Sequence, residues 1–152
     1  MYKIYCDGAY APSRDQGGVG FVILNEDDEI VARGSKGYKN TSNQRMEQTA
    51  ALLAINSIKV PSDIEVFTDS MYLVGTFTKN WKRKANQDLW KKLDYVISKH
   101  NSVKFTWVKG HADNEFNNMA DLAAKKGSKL EKSEEVIFQH TEIVSSRKPK
   151  LR

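Results

Sequence analysis

Four acids in this sequence stand in settings that a solvated surface carboxylate does not need. Asp7 follows the β-rich run "YKIYC" and Asp69 follows "IEVFT", so each falls at the end of an expected strand. Glu47 lies in "SNQRMEQTAALLAI", Ser42 to Ile55. Wound at about 100° per residue, that stretch and the turn after it put Met46, Ala50, Leu53, Ala54 and Ile58 on one apolar face. Glu47 falls inside that face, where an unpaired ionised carboxylate costs several kcal/mol or takes up a proton. Asp121 lies on a last helix, one turn beyond Asn117. Taken singly, each acid reads as a helix cap or a solvated edge.

Taken together they ask for a cation. If the strands ending at Asp7 and Asp69 are parallel neighbours, the two carboxylates lie side by side at carboxyl ends, where α/β sheets carry their chemistry. Glu47 and Asp121 reach the same point from flanking helices. Like charges raise one another's pKa, so four carboxylates do not stay ionised together without compensation. Mg2+ or Mn2+ takes oxygen ligands and leaves positions for water and phosphate. Two such ions about 4 Å apart clamp a phosphodiester, one readying the attacking water and the other stabilising the leaving oxygen.

The elements that must position these acids are legible in outline. "YKIYC", "GGVGFVIL" and "IVARGSKGY" read as an antiparallel meander of three strands. A helix capped by Ser42 or Thr41 runs to about Lys59 and stops before Pro61. "IEVFT" is a fourth strand, with a short helix from Asp69-Ser70 to about Thr78. "NQDLWKKLDYVISKH" is an amphipathic helix with Leu89, Leu93, Val96 and Ile97 inward. "SVKFTWV" is a fifth strand, and "NEFNNMADLAAKKG" is a last helix ending at Gly127. The expectation is an α/β fold: a five-stranded mixed sheet, three antiparallel strands and then two parallel ones, flanked by helices. Residues 1–127 form one domain. Residues 128–152 are an extension in which "EEVIFQHTEIV" is a strand or an extended strap and "SSRKPKLR" is a basic tail.

Composition narrows the class. The chain has 152 residues, 39% hydrophobic and 28% charged, as one soluble domain requires. A net charge of +5 favours polyanionic partners. The single cysteine, Cys6, cannot form an intramolecular disulfide; it reads as a buried strand residue in a reducing, cytoplasmic setting. No signal-peptide core opens the chain and no apolar run is long enough to span a membrane. His100 and His140 read as surface residues.

The stretches "YCDGAY", "NQRMEQTAALLAI", "VFTDSMYLV", "WVKGHA" and "NNMADLAAK" occur in this order. Together they resemble the type 1 ribonuclease H family, over about residues 1–126. The resemblance implies the ribonuclease H-like fold, with Asp7, Glu47, Asp69 and Asp121 as metal ligands. It implies hydrolysis of the RNA strand of RNA/DNA hybrids with two Mg2+ ions, Mn2+ being an alternative, and 3′-hydroxyl and 5′-phosphate ends. It also gives His111, after "WVKG", a mobile role in water activation or product release, work that suits an imidazole. A free-standing monomer is expected.

A hybrid is marked by the 2′-hydroxyl in a wide, shallow minor groove. The resemblance implies such contacts for Asn43 and Gln44. Gly8 and Ala9 allow close backbone approach, Ser13 and Ser42 are candidate phosphate contacts, and Asn117 joins this set beside Asp121. Lys82, Arg83 and Lys84, set between Trp81 and Trp90, suit a phosphate backbone, while Trp90 reads as core. The chain departs from the family in three places. Its basic connection is short where many bacterial members carry a longer protrusion. Asn118 stands where an acid is frequent, and Asp113 replaces a common Gly. The tail cations Arg147, Lys148, Lys150 and Arg152 are possible substitutes for the protrusion. The competing readings are a hybrid-binding module without chemistry, a DNA-strand transferase or resolvase of the same broad fold, and a domain of a reverse transcriptase. All four acids are present, which argues against the first, and Glu47 within "RME" argues against the second.

Overall fold

The computed structural model describes residues 1–110 and 113–129 and the backbone of 134–138. The strands are β1 (Tyr2–Ala11), β2 (Gln16–Leu24), β3 (Ile30–Lys39), β4 (Asp63–Thr68), β5 (Ser102–Trp107) and β6 (Glu134–Phe138). The helices are α1 (Asn43–Ser57), α2 (Met71–Thr78), α3 (Gln87–Ser98) and α4 (Glu115–Gly127). They build one mixed sheet in the order β5-β4-β1-β2-β3-β6. Pairings β1–β2, β2–β3 and β3–β6 are antiparallel; β1–β4 and β4–β5 are parallel. The five expected strands are present, and β6 extends the sheet beyond β3, so part of the segment after 127 forms a strand.

Side-chain alternation divides the sheet into two layers. Ile4, Cys6, Val19, Phe21 and Ile23 face α1, α2 and α3 in the main core. Tyr5, Val22 and Leu24 face the other way, in a smaller cluster with Ala120 of α4. Strand β2 is buried along its whole length because helices cover both its faces. Cys6 and Trp90 lie in the core, as read from the sequence. Trp90 keeps its indole satisfied by donating to the Ala85 carbonyl at 3.0 Å.

Two boundaries differ from expectation. Strand β1 does not end at Asp7; it runs on to Ala11 because β2 continues to pair with it, through Asp7–Gly20 to Ala11–Gln16. Gly127 ends α4 without a left-handed backbone. Its lack of a side chain serves packing instead: a Cβ there would lie 2.5 Å from the Lys36 carbonyl oxygen of β3. Among the histidines, His100 is not a plain surface residue. It is half-buried, its Nδ1 accepts from the Ser62 amide at 3.2 Å, and Nε2 lies 3.3 Å from the Ile55 carbonyl, which fixes the Nε2–H tautomer. Burial pushes its pKa down. His140 lies outside the described residues.

Candidate active site

The parallel ladder between β1 and β4 fixes two of the acids. Its last pair is Tyr5–Phe67. Asp7 and Asp69 each sit two residues beyond it, side by side, as neighbouring parallel strands require. Their proximity is visible in Asp7, whose protonation is favoured by the charge of Asp69. Alternation turns Asp7 toward the α4 layer and Gly8 toward the α1 layer.

Both helices come close because glycines let them. A Cβ on Gly8 would lie 2.5 Å from the Met46 carbonyl carbon and 2.6 Å from the Glu47 amide nitrogen, so β1 and α1 touch backbone to backbone. The close approach that Gly8 permits is thus to α1, and it brings Glu47 beside the strand end. On the other face a Cβ on Gly20 would lie 2.4 Å from the Ala120 carbonyl oxygen. Gly20 pairs with Asp7, so α4 is held against β2 at the level of Asp7 and delivers Asp121 to it. Position 110, ahead of His111, is also against the site: a Cβ there would lie 2.8 Å from Asp69 Oδ2. His111 itself lies outside the described residues, as do the tail cations.

The electrostatics follow from this crowding. Burial pushes the Asp7 carboxyl up to about 8, and a hydrogen bond shared with Asp121 and the charges of Asp69 and Asp121 push the same way. The Gly8 amide donates to Asp7 Oδ1 at 2.9 Å and opposes the shift. Glu47 is raised by burial and by Asp69, and lowered by a hydrogen bond from Ser70. Asn43 Nδ2 donates to Glu47 Oε1 at 3.0 Å. Lys125 Nζ lies 3.0 Å from Asp121 Oδ2. Among the described residues, no group of three His, Cys, Asp or Glu side chains is already arranged to hold a metal ion. The acids interact in pairs, Asp7 with Asp121 and Asp69, and Glu47 with Asp69. The donor set still fits a hard cation: every donor is a carboxylate oxygen, and the cost of crowding them is what a divalent ion relieves.

The other expected site residues divide. Asn43, Gln44 and Ser13 are exposed, and Gly8 and Ala9 are half-buried, at the same end of the sheet. Ser42 is the N-cap of α1, its Oγ accepting from the Arg45 amide at 3.2 Å, and its hydroxyl proton can still donate outward. Lys82 and Lys84 are exposed. Arg83 is already engaged within the fold. Its guanidinium is held by both Asp94 oxygens, at 2.5 and 3.1 Å, and lies over the Phe77 and Trp90 rings, so a phosphate would have to compete with Asp94 for it. Asn117, on the first turn of α4, is buried, with 3% exposure.

Three supporting residues escaped the sequence reading. Ser70 caps α2 by accepting from the Leu73 amide at 3.2 Å, and also bonds Glu47. Arg45 grips Asp88 through two bonds of 3.0 and 2.7 Å and Asn86 at 3.2 Å, tying α1 to α3 and holding the Asp88 carboxyl down at about 2. Asp15 accepts from the Tyr10 hydroxyl at 2.8 Å and from the Asn40 amide at 2.9 Å, which joins the β1–β2 turn to the loop before α1. A Ser after Asp69 was a cap signal, but its second bond, like the other two contacts, joins residues far apart in the chain.

The order and directions of these strands, with their flanking helices, define a class of fold that known structures share. Ribonuclease H1 from Halobacterium salinarum NRC-1 superposes with a TM-score of 0.70 at 23% identity, over 83% of this chain and 96% of that one. LC11-RNase H1, solved in complex with an RNA/DNA hybrid, gives 0.71 at 19% identity, over 83% and 98%. The fold is therefore ribonuclease H-like. In sequence, the chain is 36% identical to the ribonuclease H of Trichodesmium erythraeum over 151 residues, 90% of this chain and 94% of that protein. It is 37% identical to ribonuclease HI of Haemophilus influenzae over 139 residues, 83% and 88%. The family model for RNase H matches residues 1–129. The chain belongs to the RNase H family, as its five motifs had indicated.

Proposed function

We propose that this chain is an endoribonuclease that hydrolyses the RNA strand of RNA/DNA hybrids and leaves 3′-hydroxyl and 5′-phosphate ends. The observation that carries the reading is the approach of carboxylates from β1, α1, the β4–α2 junction and α4: Asp121 and Asp69 raise the proton affinity of Asp7, and Asp69 raises that of Glu47. The hybrid-bound state of LC11-RNase H1, a protein of the same fold, supports the substrate.

Asp7, Glu47, Asp69 and Asp121 would hold the cations. Two Mg2+ ions, or Mn2+, supply Lewis-acid polarisation of the scissile phosphate and a lowered pKa for the attacking water. The chain's own groups do the rest. Asn43 and Gln44, exposed on the first turn of α1, read the 2′-hydroxyl, and the bond from Asn43 to Glu47 links that reading to the cluster. Ser13, Ser42, Lys82 and Lys84 take backbone phosphates. Backbone groups of Gly8 and Ala9 line the approach. His111 carries a proton to or from the reacting water. We take residues 1–127 as the catalytic unit of a cytoplasmic monomer, with 128–152 as an extension that adds β6. Among the described residues no helix is long and apolar enough to cross a membrane.

The test is cleavage of one end-labelled RNA strand, paired with DNA, paired with RNA, and single, with Mg2+, Mn2+ or EDTA. Metal-dependent cutting of the hybrid alone, lost in Asp69→Asn, is expected. Binding of hybrid with neither metal supporting cleavage would sink the proposal in favour of a binding module.

A further inference from the structure

The acidic cluster is not left to protons alone in the metal-free protein. Lys125 stands one turn after Asp121 on α4, and its ammonium lies 3.0 Å from Asp121 Oδ2. An acid followed by a lysine four residues on is the favourable orientation for a helical ion pair. The side chains differ in exposure, 55% for Lys125 against 26% for Asp121. The ammonium can therefore leave for water at little cost, while the carboxylate stays where α4 packs on Gly20. Arg45, the cation next to Glu47 in sequence but one, cannot take this role because Asp88 and Asn86 hold it.

We propose that Lys125 is a resident counter-ion of the cluster that competes with the divalent cation for Asp121. The inference rests on the metal reading above. Without a cation the ammonium occupies an oxygen that a metal would need. As the cation binds, Lys125 is displaced into solvent. Lys125 thus weakens cation affinity and holds Asp121 in place until the cation arrives; it is a positioning residue, not a catalytic one.

Calorimetric titration of the full metal-free chain with Mg2+ tests this, using the wild type, Lys125→Met, Asp121→Asn and the double variant. Methionine keeps most of the aliphatic stem, and Lys125→Gln serves as a second variant. Because exposed ion pairs at this spacing are weak, Lys125→Met is expected to bind Mg2+ about two- to five-fold more tightly. The gain should vanish in the Asp121→Asn background and shrink as KCl is raised. The metal-free melting temperature should fall in Lys125→Met and recover at saturating Mg2+. An unchanged or weaker affinity in both Lys125 variants overturns the proposal, as does an equal gain in the Asp121→Asn background, which would mean simple charge repulsion. No binding heat with the wild type overturns the metal reading and the proposal together; wild-type heat with no Lys125 effect overturns the proposal alone.

Discussion

Replacing Asp7 by Asn should stabilise the metal-free protein while removing one of its ligands. In the unfolded chain Asp7 titrates near its ordinary 3.8, and in the fold burial and the neighbouring acids raise it to about 8. The folded state then holds a proton that the unfolded state gives up. Stability tied to Asp7 is full below about pH 4 and is lost as pH rises through about 8. At pH 7 the loss spans roughly three pH units, a ceiling of about 4 kcal/mol at 1.36 kcal/mol per unit. The proton is shared with Asp121 and the side chains relax, so about half of that, roughly 2 kcal/mol, is expected. Asparagine cannot ionise, keeps the shape, and can still donate to Asp121. For a chain of this size the gain amounts to about 4–8 °C in melting temperature at pH 7. The assay is urea and thermal unfolding in EDTA at pH 4, 5.5, 7 and 8.5, wild type against Asp7→Asn. The difference between the two isolates Asp7 and the acids coupled to it from every other titrating group. A variant no more stable at pH 7, or equally favoured at pH 4 and pH 7, would refute the reasoning. Adding Mg2+ should close the gap from the wild-type side.

Gly8→Ala drives a Cβ to 2.5 Å from the α1 backbone, which has no flexible side chain to yield. It should cost about 1–3 kcal/mol of stability by urea unfolding and, by moving Glu47, lower kcat more than it raises KM. Ser70→Ala removes both a helix cap and the hydroxyl that lowers Glu47. A loss of about 1 kcal/mol is expected, with the acid limb of the kcat/KM pH profile displaced to higher pH. An unmoved profile would separate Ser70 from Glu47. Lys82→Ala and Lys84→Ala should weaken hybrid binding and reduce its salt dependence, whereas Arg83→Ala should leave both nearly unchanged and cost about 1 kcal/mol or more of stability. Fluorescence anisotropy against salt, beside thermal unfolding, checks the division.

The sequence by itself determined a good deal. Periodicity and punctuation place β1 to β5 and α1 to α4 within a few residues, because apolar alternation, caps and prolines act locally. Glu47 was conspicuous since one turn of helix suffices to see a carboxylate on an apolar face. Two acids after β-rich runs and a late-helix acid are the sequence signals behind the metal chemistry proposed above. What needed tertiary structure was every contact between distant segments. The roles of Gly8 and Gly20 depend on which helix lies over which strand, and the β1–β4 register alone sets Asp7 beside Asp69. Arg83 and Asn117 look like ligand contacts in the chain; only packing engages one with Asp94 and the aromatic rings and buries the other. His100 gained partners from the end of α1 and the loop before β4, and Asp121 an electrostatic setting that no linear spacing reports. Residue types and local spacing fix which chemistry is possible. Burial and the charges that folding brings within a few ångströms fix which protonation states and counter-ions it starts from.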